Sequence, residues 1–80
     1  MSVTPGRGTM ALGASVRRRR RALGLTQEDL ADLAEVSVRF VHALEHGKPT
    51  VQLEQVLRVL GVLGLGLRVV TGSGVVETDD

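Results

Sequence analysis

LGLTQEDLADLAEVSVRFVHALEHGKPT, residues 23–50, carries two helix-start signals eleven residues apart, at Thr26 and Ser37. A hydroxyl at the N-cap accepts from the free N–H groups of a first helical turn. Asp29, three residues after Thr26, completes a capping-box pattern. Leu30, Ala31, Leu33 and Ala34 follow at helical spacing and form the expected buried face of a short helix. The alanines let a neighbouring helix come close. Ser37 repeats the signal and opens a further short helix over VRFVHALEH. Gly47 stops that helix and Pro49 forbids its return. At about 100° per residue, Phe40, Val41 and Leu44 fall on its core side. Val38, Arg39, His42 and His46 fall opposite, with Glu45 at the border. Two short capped helices joined by a tight turn make a helix-turn-helix pattern.

The flanks divide into four parts. Residues 1–9 are rich in Gly, Pro, Ser and Thr and read as a loose arm. Residues 10–64 form the helical domain. Its first helix shows Leu12, Val16 and Leu23 at helical spacing, but the stripe passes through Arg19 and Arg20. One of those arginines lies near the core, and a buried guanidinium needs a partner. Gly24 supplies a left-handed stop. After Pro49, QLEQVLRVLGVLG predicts a fourth helix with Leu53, Val56, Leu57, Leu60 and Leu63 facing inward. Over residues 65–71 the period changes: Leu65, Leu67 and Val69 alternate with Gly66, Arg68 and Val70, which predicts a short strand. A lone strand cannot satisfy its backbone. Pairing with the same strand of a second copy, in a symmetric homodimer, is the favoured solution. A hairpin with Val75 and Val76 is the alternative. Residues 72–80 form an acidic tail or that second strand. The fold class expected is therefore all-α, a small bundle of about four helices with a short C-terminal dimerising strand.

Composition sets the limits. Eighty residues make one small domain. With a single aromatic residue, the core must be built from Leu, Val and Ala. There is no cysteine, hence no disulfide framework and no thiolate metal site. No apolar run approaches the ~18 residues of a membrane span, and the N-terminus lacks the order of a secretory signal. A cytoplasmic, nucleoid-associated protein is expected. The net charge is only +1, yet Arg17 to Arg21 form an unbroken basic run, while Glu77, Asp79 and Asp80 make the end acidic. That local field attracts a polyanion, or simply solvates a helix face.

HALEH, residues 42–46, spells H-x-x-E-H, the pattern of inverted zinc peptidases. On a helix His42 and His46 share a face, with Glu45 as a general base. The nest is poor: Arg39 repels a cation, no further histidine completes the site, and the chain is too short to wall a cleft. A minimal zinc hydrolase is the minor alternative. The main expectation is no enzyme, no metal and no cofactor.

A helix-turn-helix places its second helix in the major groove of double-stranded DNA. Arg39 is suited to guanine O6 and N7, Val38 to a thymine methyl, His42 to a base edge or phosphate, and Ser37 to either. The stretch quoted above resembles the phage-repressor (Cro/C1, XRE) helix-turn-helix family. Leu25, Thr26, Gln27, Leu30, Ala31, Ala34, Val36, Ser37, Val41, Leu44, Glu45, Gly47 and Lys48 carry the resemblance. It continues through KPTVQLEQVLRVLGVLGLGLRV, which is similar to HipB-type antitoxins, and covers roughly residues 11–70. The resemblance implies a repressor on a palindromic operator, and base reading by Ser37, Val38, Arg39 and His42. It further implies phosphate contacts from Gln27 and Lys48. Thr26, at the same helix start as Gln27, is expected to join them, and Arg17 in the basic run lies near the phosphate backbone or on a solvated face. Arg20 and Glu45 occupy the positions of a structural ion pair. A HipA-like kinase toxin is the implied partner, a free-standing regulator the alternative setting. Two departures stand out. Glu35 occupies the turn position where the family has a left-handed glycine, and Val38 and Ala43 replace polar readers.

Overall fold

The computed structural model describes residues 7–72, 74 and 76–78. Four helices follow one another: α1 (Arg7–Ala22), α2 (Gln27–Ala34), α3 (Val38–Glu45) and α4 (Leu53–Val62). The third packs against α1 and α2, and α4 covers α2. Val16, Leu30, Val41, Leu44, Val56, Val59 and Leu63 are the fully buried large side chains. Ala31, Ala34 and Leu60 close the gaps between them, and Leu12, Leu25, Val36, Phe40, Val51 and Leu65 pack around the edge. Each fully buried aliphatic side chain contributes roughly 1.5–3 kcal/mol.

Two glycines set the distance between α1 and α3. A Cβ on Gly13 would lie 2.2 Å from the Leu44 carbonyl oxygen, so the helices meet here backbone to backbone. Gly47 ends α3 at φ 75°, and a Cβ there would run into Met10. Thr9 Oγ1 donates to the Gly47 carbonyl at 2.9 Å and ties the same junction.

The structure corrects several expectations. The first helix already runs from Arg7, so residues 7–9 are helical rather than part of a loose arm; residues 1–6 lie outside the described residues. Leu33 (59% exposed), Leu53 (60%), Leu57 (47%) and Leu23 (45%) are not core residues. The buried stripes are narrower than the apolar pattern. On α2 the stripe is Leu30, Ala31 and Ala34, and on α4 it centres on Val56, Val59 and Leu60. Val59 is a core residue that an inward series running Leu53, Val56, Leu57, Leu60 and Leu63 does not include.

The strand expected over residues 65–71 is absent as a ladder within the chain; among the described residues there is no strand. A strand exists only where a second segment completes its hydrogen bonds. The Leu65 N–H instead closes α4, donating to the Leu60 carbonyl at 2.8 Å, and Leu65 packs on the core. Of the hairpin alternative, Val75 lies outside the described residues, and Val76 lies against Gly8 of α1. Leu67, Val69 and Val70 remain exposed, Val69 at 99%.

Candidate nucleic-acid interface

The interface is built from the starts of α2 and α3. Thr26 Oγ1 accepts from the Asp29 N–H at 3.0 Å, and Asp29 Oδ2 accepts from the Thr26 N–H at 2.9 Å. Hydrogen bonding to the Thr26 backbone and hydroxyl holds the Asp29 carboxyl below its ordinary value. Ser37 Oγ caps α3 by accepting from the Phe40 N–H at 3.0 Å. Between the two helices Glu35 takes φ 57° and ψ 45°, a left-handed conformation that a side chain disfavours. The turn holds because the Val36 N–H reaches the Ala31 carbonyl at 3.0 Å, and Arg58 of α4 donates to the Glu35 carbonyl at 3.2 Å.

Under α3 lies a buried polar knot. Arg20 Nε donates to Glu45 Oε2 at 2.6 Å and Arg20 Nη2 to Oε1 at 2.9 Å, a two-pronged ion pair. Arg20 Nη1 also donates to the Leu25 carbonyl at 2.9 Å. Gln27 Nε2 donates to the same Glu45 Oε1 at 3.1 Å. The Glu45 side chain is 0% exposed and that of Arg20 10%. Burial pushes the Glu45 carboxyl up. The hydrogen bonds from Arg20 and Gln27, with the charges of Arg20 and Arg17, outweigh it and hold the carboxyl below its ordinary value. The bond to Glu45 likewise raises the Arg20 guanidinium, against the opposing effect of burial. No buried side-chain polar atom among the described residues lacks a partner.

This knot determines which way α3 faces. Val41, Leu44 and Glu45 point inward, and Val38, Arg39, His42 and His46 are exposed. Ser37 and Arg39 share a shallow groove with Lys48, Thr50, Gln52 and Gln55 from the following loop and the start of α4. Gln27 donates to Glu45, and the charge of Arg17 acts on the same carboxylate. Thr26 is exposed, but its hydroxyl oxygen is already engaged by the cap. Thr50, Gln52 and Gln55 escaped sequence reasoning. Their only signal is polarity after Lys48, and their approach to Ser37 and Arg39 is a matter of tertiary structure.

The H-x-x-E-H stretch does not form a catalytic nest. Glu45 points into the core, away from the exposed histidines, and its oxygens are taken by Arg20 and Gln27. Among the described residues no three His, Cys, Asp or Glu side chains converge. No helix of the described residues is long and apolar enough to cross a membrane.

With this geometry in view, the relatives are informative. The family model of the helix-turn-helix domain matches residues 11–71. An uncharacterized HTH-type transcriptional regulator of Sinorhizobium fredii, y4mF, is 46% identical over 56 residues, which cover 70% of this chain and 74% of the relative. With two short capped helices joined by a tight turn in its structure, the chain belongs to the helix-turn-helix family, of the XRE-like type.

Proposed function

We propose that the protein is a DNA-binding transcriptional regulator that reads the major groove with the exposed face of α3. The observation that carries this reading is the orientation of α3. A buried ion pair fixes its inner face, and its outer face presents Val38, Arg39 and His42 beside the Ser37 cap. Arg39 supplies the bidentate base contact, Val38 the apolar one, and Ser37 and His42 donate to base edges. Arg17, Gln27, Thr26 and Lys48 meet phosphates on either side and set the register. Val38 and Ala43 donate nothing, so Arg39 together with DNA shape carries most of the specificity.

The regulator acts as a homodimer on a roughly palindromic operator with half-sites about one helical turn apart. Residues 65–71 pair as a strand across the two copies. Leu65 is held by its own core, while Leu67 and Val69 lie exposed for the partner. A repressor that is the antitoxin of a kinase-type toxin and silences its own operon is the setting supported by the resemblance to HipB-type antitoxins.

The test is fluorescence anisotropy on DNA from upstream of the gene, against a scrambled duplex, over a salt series. Tight binding to the upstream DNA alone, weakening with salt and relaxed by Arg39→Ala, is the expected result. Equal weak binding to both duplexes, indifferent to Arg39→Ala, would overturn the reading. Copurification of a kinase-like protein distinguishes the antitoxin from a free-standing regulator.

A further inference from the structure

The two histidines of H-x-x-E-H are left over once Glu45 is assigned to the core. We propose that His42 and His46 form a two-imidazole clip for a borderline divalent transition ion, of the copper, nickel and zinc class, on the exposed face of α3. The residues are one helical turn apart and both are exposed. Their ring centroids are 4.0 Å apart, with the planes inclined by 30°.

The proton positions favour a metal. His46 Nδ1 lies 2.8 Å from the His42 carbonyl oxygen. A carbonyl only accepts, so this contact selects the tautomer with the proton on Nδ1 and the lone pair on Nε2. A bond of this kind from the second ring nitrogen is what orients metal-bound imidazoles and raises their basicity. Imidazole nitrogens bind these ions at about 2.0–2.1 Å, which places two neighbouring donor nitrogens about 3 Å apart. The stacked rings must turn about their side-chain torsions to bring both lone pairs onto one ion, which their exposure allows.

Arg39 lies on the same face and opposes a cation, but it is exposed and its charge is screened by solvent and salt. Its long stem also lets the guanidinium turn away. Water fills the ion's remaining positions, so the site is open and exchangeable rather than structural. Copper binds most tightly of the three. The second imidazole acts at high effective concentration, which makes the pair on the order of 10²-fold tighter than one imidazole alone. The clip does not depend on the DNA reading.

The experiment is calorimetric titration of the full, untagged chain with Cu2+, Ni2+ and Zn2+ in separate runs, in a non-coordinating buffer that keeps imidazole neutral. One ion per chain is expected, with copper the tightest. Either His46→Ala or His42→Ala should weaken binding on the order of 10²-fold, with helix content unchanged by circular dichroism. A second measurement needs no variant: substoichiometric Cu2+ should broaden the imidazole NMR signals of both histidines together. Binding that survives His46→Ala undiminished, broadening of one ring alone, or no uptake below millimolar ion would each overturn the proposal.

Discussion

Glu35 sits at φ 57° between α2 and α3, the one non-glycine residue with positive φ among the described residues. A left-handed non-glycine costs roughly 1–2 kcal/mol, and its exposed side chain offers nothing evident in return. Glu35→Gly should therefore raise stability by about 1 kcal/mol, or several degrees in melting temperature for a domain of this size. Thermal denaturation measures it directly. Glu45 behaves in the opposite way. Glu45→Ala strands Arg20 in the core without its carboxylate and should cost about 3–5 kcal/mol, read by urea denaturation. The joint replacement Arg20→Met with Glu45→Leu should recover most of that loss. The pair also has a pH signature. The folded Glu45 carboxyl lies below its ordinary value of 4.5, so its contribution is complete above that value and is lost as pH falls through the lower folded one. The joint variant should show a flatter decline of stability in acid than the native chain.

At the scale of elements, the α1–α3 contact reverses an ordinary rule. Ala normally stabilises a helix interior by about 1 kcal/mol over Gly. At Gly13 the added methyl would meet the Leu44 and Glu45 carbonyls at 2.2 and 2.9 Å, both backbone atoms. Gly13→Ala should thus destabilise, by about 1–3 kcal/mol, and urea titration gives both the sign and the size. The same contact shows why some elements were legible in the sequence and others were not. Thr26 with Asp29, and Ser37, announce α2 and α3 because capping is local chemistry. The interrupted apolar stripe announces that Arg19 or Arg20 lies near the core, and only the family resemblance singles out Arg20. The start of α1 was hidden, because Gly8 within that first turn reads like loop. Leu33, Leu53 and Leu57 misled because periodicity reports which residues are apolar, while burial depends on where the neighbouring helix stops. Thr50, Gln52 and Gln55 reach the α3 groove only through the path of the loop after Gly47, which no spacing encodes.

At the scale of the whole molecule, the exposed segment after α4 bears on assembly. Residues 66–72 leave the core after Leu65 and expose Leu67, Val69 and Val70 in a chain of only 80 residues. If two copies pair along this segment, Val69→Lys should shift sedimentation equilibrium toward monomer while leaving the melting profile of the helical domain intact. DNA affinity should fall with it, because one half-site must then bind without the other. Unchanged mass and unchanged affinity in that variant would place the contact elsewhere.

The Glu45 carboxylate receives Arg20 from α1 and Gln27 from α2 while belonging to α3. Three helices are thus pinned at one pair of oxygen atoms, and α3 has little freedom left to surrender. If α3 is the helix that docks on DNA, as proposed above, it should do so as a rigid key, with a calorimetric trace to match. The heat capacity of association should stay small and close to that of the desolvated contact surface. It should lack the large negative excess that accompanies binding coupled to folding.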